Sequence, residues 1–182
     1  QYRESDATAI EGDVWYNAST GKLRMYASAG AWASGGAMNT PRDAMGAAGI
    51  QTAAIAFGGN TAPSPSTTDN AEKYDGSSWT EVGDLNQARL QLSGVGTQDA
   101  ALAFGGSGVP VGALTEKFDG TNWTEVGDLN TSRRNLAAFG TNTAAVACQG
   151  ESPTPSHAET EEWNGTSWTE VTDVPDAATQ GA

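Results

Sequence analysis

Three segments, EKYDGSSWTEV at 72–82, EKFDGTNWTEV at 116–126 and EEWNGTSWTEV at 161–171, are copies of one another, and this repetition restricts the fold more than any other feature of the chain. Their tryptophans, Trp79, Trp123 and Trp168, are 44 and 45 residues apart. A unit of that length cannot bury its own apolar face, so successive units must stack. The segments are rich in aromatic and apolar residues, bounded by Gly, Asn and Asp, and none has a helical period. The unit therefore reads as a four-stranded antiparallel sheet, and the series as blades of a β-propeller.

Each repeat divides into four expected strands. AMGAAGIQ (44–51), LQLSGVGT (90–97) and NLAAFGTN (135–142) come first, with small side chains that suit strands crowded near an axis. AAIAFGG (53–59), AALAFGG (100–106) and AAVACQG (144–150) follow; apolar on both faces, they are expected between neighbouring blades. Their closing glycines supply the positive φ needed to turn the chain outward. The third and fourth strands form a hairpin tipped by Asp75-Gly76, Asp119-Gly120 or Asn164-Gly165. These dipeptides predict a two-residue type I′ turn, in a register that sets Asn70 opposite Glu81 and avoids facing Glu72 against Glu81. Tyr74 then shares a face with Trp79, Phe118 with Trp123 and Trp163 with Trp168, an aromatic cluster suited to packing between blades.

Residues 1–11 show no periodicity and read as a connector into a repeat domain spanning 12–182. Within it, 12–43 is a divergent partial blade, opening on a hairpin of GDVWYN (12–17) and KLRMY (22–26). Trp32 precedes Asn39 by seven residues, as Trp79 precedes Asn86 and Trp123 precedes Asn130, and Arg42, Arg89 and Arg133 each follow three later. Full blades are expected at 44–83, 91–127 and 135–171. Residues 172–182 resemble the start of a further strand without the arginine, and could complete a closing blade with the N-terminal part. A closed ring of about four blades and a segment of a larger propeller or open repeat array both fit.

The loops between second and third strands, at 60–69, 107–114 and 151–160, differ from copy to copy and should emerge on one side. A repeated framework with one variable face suits recognition. Ser66, Val111 and His157 mark that face as candidate binding residues, and Arg42, Arg89 and Arg133 form a second candidate set. Each Arg either pairs with a repeat carboxylate such as Glu81 or Asp84 across blades, or lines a central channel and holds an anionic sugar.

Other chemistry is restricted. A net charge of −13, with nine Lys plus Arg against 22 Asp plus Glu, opposes nucleic acid and anionic lipid as partners. No apolar run reaches the roughly 18 residues of a membrane span. Cys148 and His157 are the sole cysteine and histidine, which argues against a disulfide framework, a multi-ligand metal centre or a bound cofactor. Cys148 aligns with Phe57 and Phe104 and is expected to act as a small buried hydrophobe. The carboxylates recur with the repeat, so no unique acid/base pair stands out.

The chain resembles the kelch family through Gly58-Gly59 and Gly105-Gly106, the aromatic at 74 or 118, and Trp79 or Trp123. More closely, the pattern WTEVGDLNxxR…TQxAALAFGG…EKYDGSSW, over about 32–171, is similar to tandem repeats in tail-fibre and other virion proteins of marine tailed bacteriophages. The hairpin at 12–23 resembles short modules of phage fibre proteins. The resemblance implies a virion location and a structural or adhesive role, in a family with no single assigned activity, and the chain is read as a non-enzymatic kelch-like all-β propeller. Its partners would be other virion proteins, copies of itself, or a host-surface glycan. A glycosidase acting on surface polysaccharide and a passive spacer are the alternatives. Gln149 and Cys148 depart from the family pattern at the first glycine of the pair and the residue before it.

Overall fold

The computed structural model describes residues 2–3, 14–17, 22–25, 35–63, 66–108, 112–152 and 158–175, and is all-β, with no helix among them. The chain divides into two compact units, Gln1–Ser34 and Gly35–Ala182. In the first, β2 (Val14–Asn17) and β3 (Lys22–Met25) pair antiparallel, Val14 opposite Met25 and Asn17 opposite Lys22, as the hairpin pattern predicts. β1 (Tyr2–Arg3) runs parallel along β2, so two residues of the expected connector belong to a sheet.

The second unit begins with β4 (Arg42–Asp43) and contains three four-stranded antiparallel sheets. The first is built from β5 (Gly46–Ile50), β6 (Ala53–Phe57), β9 (Ala71–Tyr74) and β10 (Trp79–Glu81). Between β6 and β9, β7 (Asn60–Thr61) and β8 (Ser66–Thr67) join β4 in a small three-stranded sheet. The second comprises β11 (Ser93–Thr97), β12 (Ala100–Phe104), β13 (Thr115–Phe118) and β14 (Trp123–Glu125). The third comprises β15 (Ala137–Gly140), β16 (Ala145–Cys148), β17 (Thr160–Trp163) and β18 (Trp168–Val171). Sheets follow one another in chain order, with β5 against β11 and β11 against β15, a propeller-like arrangement in which no ring closes among the described residues. Of residues 172–182, expected to begin a closing strand, 172–175 are in no strand and 176–182 lie outside the described residues.

The core lies between the sheets. Ile55, Phe57, Leu85 and Leu92 meet Ala101, Ala103, Phe118 and Trp123 at the first junction. Val95, Leu102, Phe104, Leu129 and Leu136 meet Ala145, Ala147, Trp163 and Trp168 at the second. Strand alternation thus sends Ala101 and Ala103 toward one neighbour and Leu102 and Phe104 toward the other. Phe57 meets Trp123 edge-on at a centroid distance of 4.8 Å, and Phe104 meets Trp168 at 4.7 Å. The small residues of the first strands permit this approach: a Cβ on Gly94 would lie 2.4 Å from Phe57 Cζ and 2.7 Å from the Ala47 carbonyl oxygen.

The outer hairpins have a different register from the one expected. Tyr74 faces Trp79 and Glu72 faces Glu81, so 75–78 form a four-residue loop; Glu116 likewise faces Glu125, and Glu161 faces Glu170. The reason is local. Asp75 Oδ1 accepts hydrogen bonds from the Ser77 and Ser78 amides, both at 2.8 Å. Asp119 accepts the amides of Thr121 and Asn122, and Asn164 those of Thr166 and Ser167. This side-chain turn needs two residues after the glycine, which the two-residue loop lacks. The repulsion that argued against it is removed from outside the hairpin, by a cation from the preceding segment.

Candidate functional site

The repeated polar residues converge at the junctions between sheets. Leaving β10, the chain carries Asn86 and Arg89 to Glu116 on β13 of the next sheet. Glu116 Oε2 accepts the Asn86 backbone and side-chain amides, each at 2.7 Å, and Arg89 Nη2 lies 3.2 Å from Oε1. Leaving β14, Asn130 and Arg133 reach Glu161 on β17 in the same way. The Asn130 bonds measure 2.7 and 2.8 Å, and Arg133 Nη2 lies 2.6 Å from Glu161 Oε1. Ahead of the first sheet, Asn39 and Arg42 engage Glu72, with Arg42 Nη2 at 2.8 Å. Each asparagine also donates to the carbonyl of the facing tryptophan, Trp79, Trp123 or Trp168.

The Arg89 and Arg133 clasps reach back to the preceding sheet as well. The Gly59 amide donates to the Arg89 carbonyl at 2.8 Å, and Gly106 to that of Arg133 at 2.9 Å. These second glycines of the pairs have φ of 110° and 109°. Gln149 replaces the first glycine in the third sheet yet keeps its left-handed conformation, φ 59° against 64° for Gly58 and 67° for Gly105. Gly150 follows at φ 110°, so the turn persists without its preferred residue.

Arg42, Arg89 and Arg133 therefore act across repeats, but their direct partners are Glu72, Glu116 and Glu161, rather than Glu81 or Asp84. Burial pushes the Arg42 guanidinium below its usual basicity, opposed by Glu72, then Asp84 and Glu81. Arg89 is lowered by the same cause, opposed by Glu116, Asp128 and Glu125. Asp84 and Asp128 take a local task, accepting the backbone amides of Ala71 and Thr115 at 3.1 Å. The three Arg side chains are 0% exposed, so their guanidinium groups meet carboxylates and carbonyls within the stack. The carboxylates were visible in the sequence as Glu72, Glu116 and Glu161, one per repeat. What pointed to them was a mismatch, a glutamate pair that no hairpin would favour unless another segment supplied a cation.

The variable loops begin at equivalent places. Asp43 pairs with Asn60, Leu90 with Ser107 and Arg134 with Glu151, each joining the residue after a clasp arginine to the residue after a glycine pair. Among the described residues only the first loop extends this into a sheet, β4–β7–β8, and there Ser66 is exposed opposite Thr61. Val111 and His157 lie outside the described residues. Beside the third loop, Ser107, Gly108, Ser132, Arg134, Glu151 and Ser152 line a hollow of about 170 Å³, crossed by an Arg134–Glu151 ion pair of 3.4 Å. Its polar side chains do not recur at the equivalent Pro41, Asp43 and Asn60 of the first loop, where another hollow opens. The loop end thus carries individual residues, and the junctions carry repeated ones.

Cys148 is buried at the position of Phe57 and Phe104, as expected of a small hydrophobe. No protein-family model matches the chain, and a search of curated proteins found no match.

Proposed function

We propose that the chain is a kelch-like β-propeller part of a tailed-bacteriophage virion protein, a fibre or surface decoration without enzymatic activity. It recognises a host-surface glycan or a neighbouring subunit through the loops at 60–69, 107–114 and 151–160. The observation that carries this reading is the division of labour between residues. The Arg and Glu side chains of the clasps recur and are buried, and a recurring Asn bonds each Glu, while the loop end differs from repeat to repeat. Packing needs constrain all repeats alike, whereas residues peculiar to one repeat can serve a ligand without disturbing the others. The virion setting is supported by the repeat wording and by the hairpin module at 12–23.

Replacing the outer parts of the three loops, 62–67, 108–111 and 152–157, with short Gly-Ser turns tests the reading and leaves the Glu159 carbonyl and β17 in place. The loopless variant should melt within a few degrees of the parent and lose adsorption to host cells or virion partners. Retained adsorption contradicts loop-borne recognition.

A further inference from the structure

The junction between repeats is made twice from the same parts, and a third copy of its leading segment precedes the first sheet. Those copies show what the outer face of the third sheet would need in order to receive another repeat. A glycine leads each segment against the next hairpin: a Cβ at Gly36 would lie 2.3 Å from the Ser77 carbonyl oxygen, at Gly83 2.3 Å from that of Thr121, and at Gly127 2.7 Å from that of Thr166. Three residues on comes the clasp asparagine, and three further the clasp arginine. Across the first junction Lys73 adds a bond to Asp99 at 2.6 Å and one to the Gly120 carbonyl at 2.7 Å, with its ammonium 5.0 Å above the Phe118 ring. The phenylalanine that closes the second strand, Phe57 or Phe104, inserts against the next tryptophan.

After the third sheet every one of these parts is changed. Thr172 stands in the place of the glycine, Pro175 in that of the asparagine, and Ala178 in that of the arginine. Proline has neither a backbone amide nor a side-chain donor, so both bonds that Asn86 and Asn130 give to a glutamate are lost. Thr172 carries the Cβ that the close approach forbids. Glu162 occupies the position of Lys73 and Lys117, reversing its charge, and Cys148 replaces the inserting phenylalanine. Ala145 and Ala147 face the second sheet, so Val146 and Cys148 face outward with Phe139. Phe139 is 63% exposed, whereas its equivalent in the second sheet, Val95, is 6% exposed beneath the third.

We infer that the third repeat terminates the self-stacking series: its outer face excludes a further repeat of this kind, whatever chain follows. Five positions on three separate segments have lost the chemistry that their counterparts use, four of them at both junctions and the lysine at the first. Some lose an attraction and others, Thr172 and Glu162, add a repulsion. Specific interfaces commonly use both to discriminate between partners of otherwise similar shape.

Two chimeras of the full chain test this. In one, a second copy of residues 90–126 follows the native 172–178. In the other, the same copy follows a junction restored by Thr172→Gly, Pro175→Asn, Ala178→Arg, Glu162→Lys and Cys148→Phe. Limited proteolysis, with cleavage sites read by mass spectrometry, reports whether the added repeat docks. The restored chimera should be cleaved within it more slowly by at least about tenfold, because cleavage tracks the open population. Equal protection in both chimeras, or equal cleavage in both, overturns the inference.

Discussion

Arg133 holds Glu161 at 2.6 Å across the second junction, and both side chains are almost wholly removed from solvent. Arg133 also donates to the carbonyls of Glu159 at 2.6 Å and Gln149 at 3.1 Å, while Glu161 accepts from Asn130 and Thr131. A buried pair is favourable only when hydrogen bonds satisfy the remaining donors and acceptors. That condition is met here and is not met one repeat earlier: Arg89 is equally buried, yet its Nε and Nη1 have no partner among the described residues and its ion pair is longer, 3.2 Å.

Arg133→Met should therefore destabilise the fold by about 3–5 kcal/mol, the cost of leaving a buried charge unpaired. Arg89→Met should cost less, because it also relieves two buried donors of their desolvation. Urea denaturation of both variants gives the order, and a larger loss at Arg89 contradicts this account.

The tryptophans differ in burial in a way the repeat alone does not reveal. Trp123 is 5% exposed between two sheets, whereas Trp79 is half-buried. Trp123→Ala should cost about 3–5 kcal/mol. Trp79→Ala should cost distinctly less, and equal losses in chemical denaturation would count against the sheet-to-sheet role of Trp123.

Gly94 tests the close approach of the first strands. A side chain there meets the Phe57 ring and the Ala47 backbone of the neighbouring sheet. Overpacking of this kind costs about 1–3 kcal/mol, so Gly94→Val should lower the melting temperature, and an unchanged value would refute the contact.

The hairpin loop predicts a pH dependence. Hydrogen bonds from the Ser78 amide, then the Ser77 hydroxyl and amide, lower the Asp75 carboxyl to about 2. Its folded pKa lies below its unfolded value, so its contribution is present above the unfolded pKa and is lost as pH falls through about 2. Asp75→Asn should keep the loop, since Asn164 forms the same turn in the third repeat, and should remove this part of the acid sensitivity. An Asp75 titration midpoint near 4 by NMR, close to the ordinary value, would show that the turn does not form.

The four-strand unit and the aromatic pairs could be read from the sequence, because each is encoded by residues close together in the chain. Tyr74 and Trp79, for instance, share a face in either hairpin register. The register itself could not be read correctly from the hairpin alone. Glu72 opposite Glu81 is unfavourable until Arg42, some thirty residues earlier, is placed against Glu72. The same non-local origin hid the clasp asparagines, whose spacing was evident while their acceptor lay in the next repeat. The individual character of the loops was plain in the sequence, but the hollow beside Arg134 and Glu151 depends on residues from two repeats.

The Asn, Arg and Glu of successive repeats bind the sheets to one another, and a double-mutant cycle on Arg133→Met and Glu161→Gln tests this most directly. Unfolding free energies of the parent, both single variants and the double variant should show strong coupling, the double variant losing less than the two single losses combined. Losses that add within about 0.5 kcal/mol, as for independent sites, would contradict the clasp.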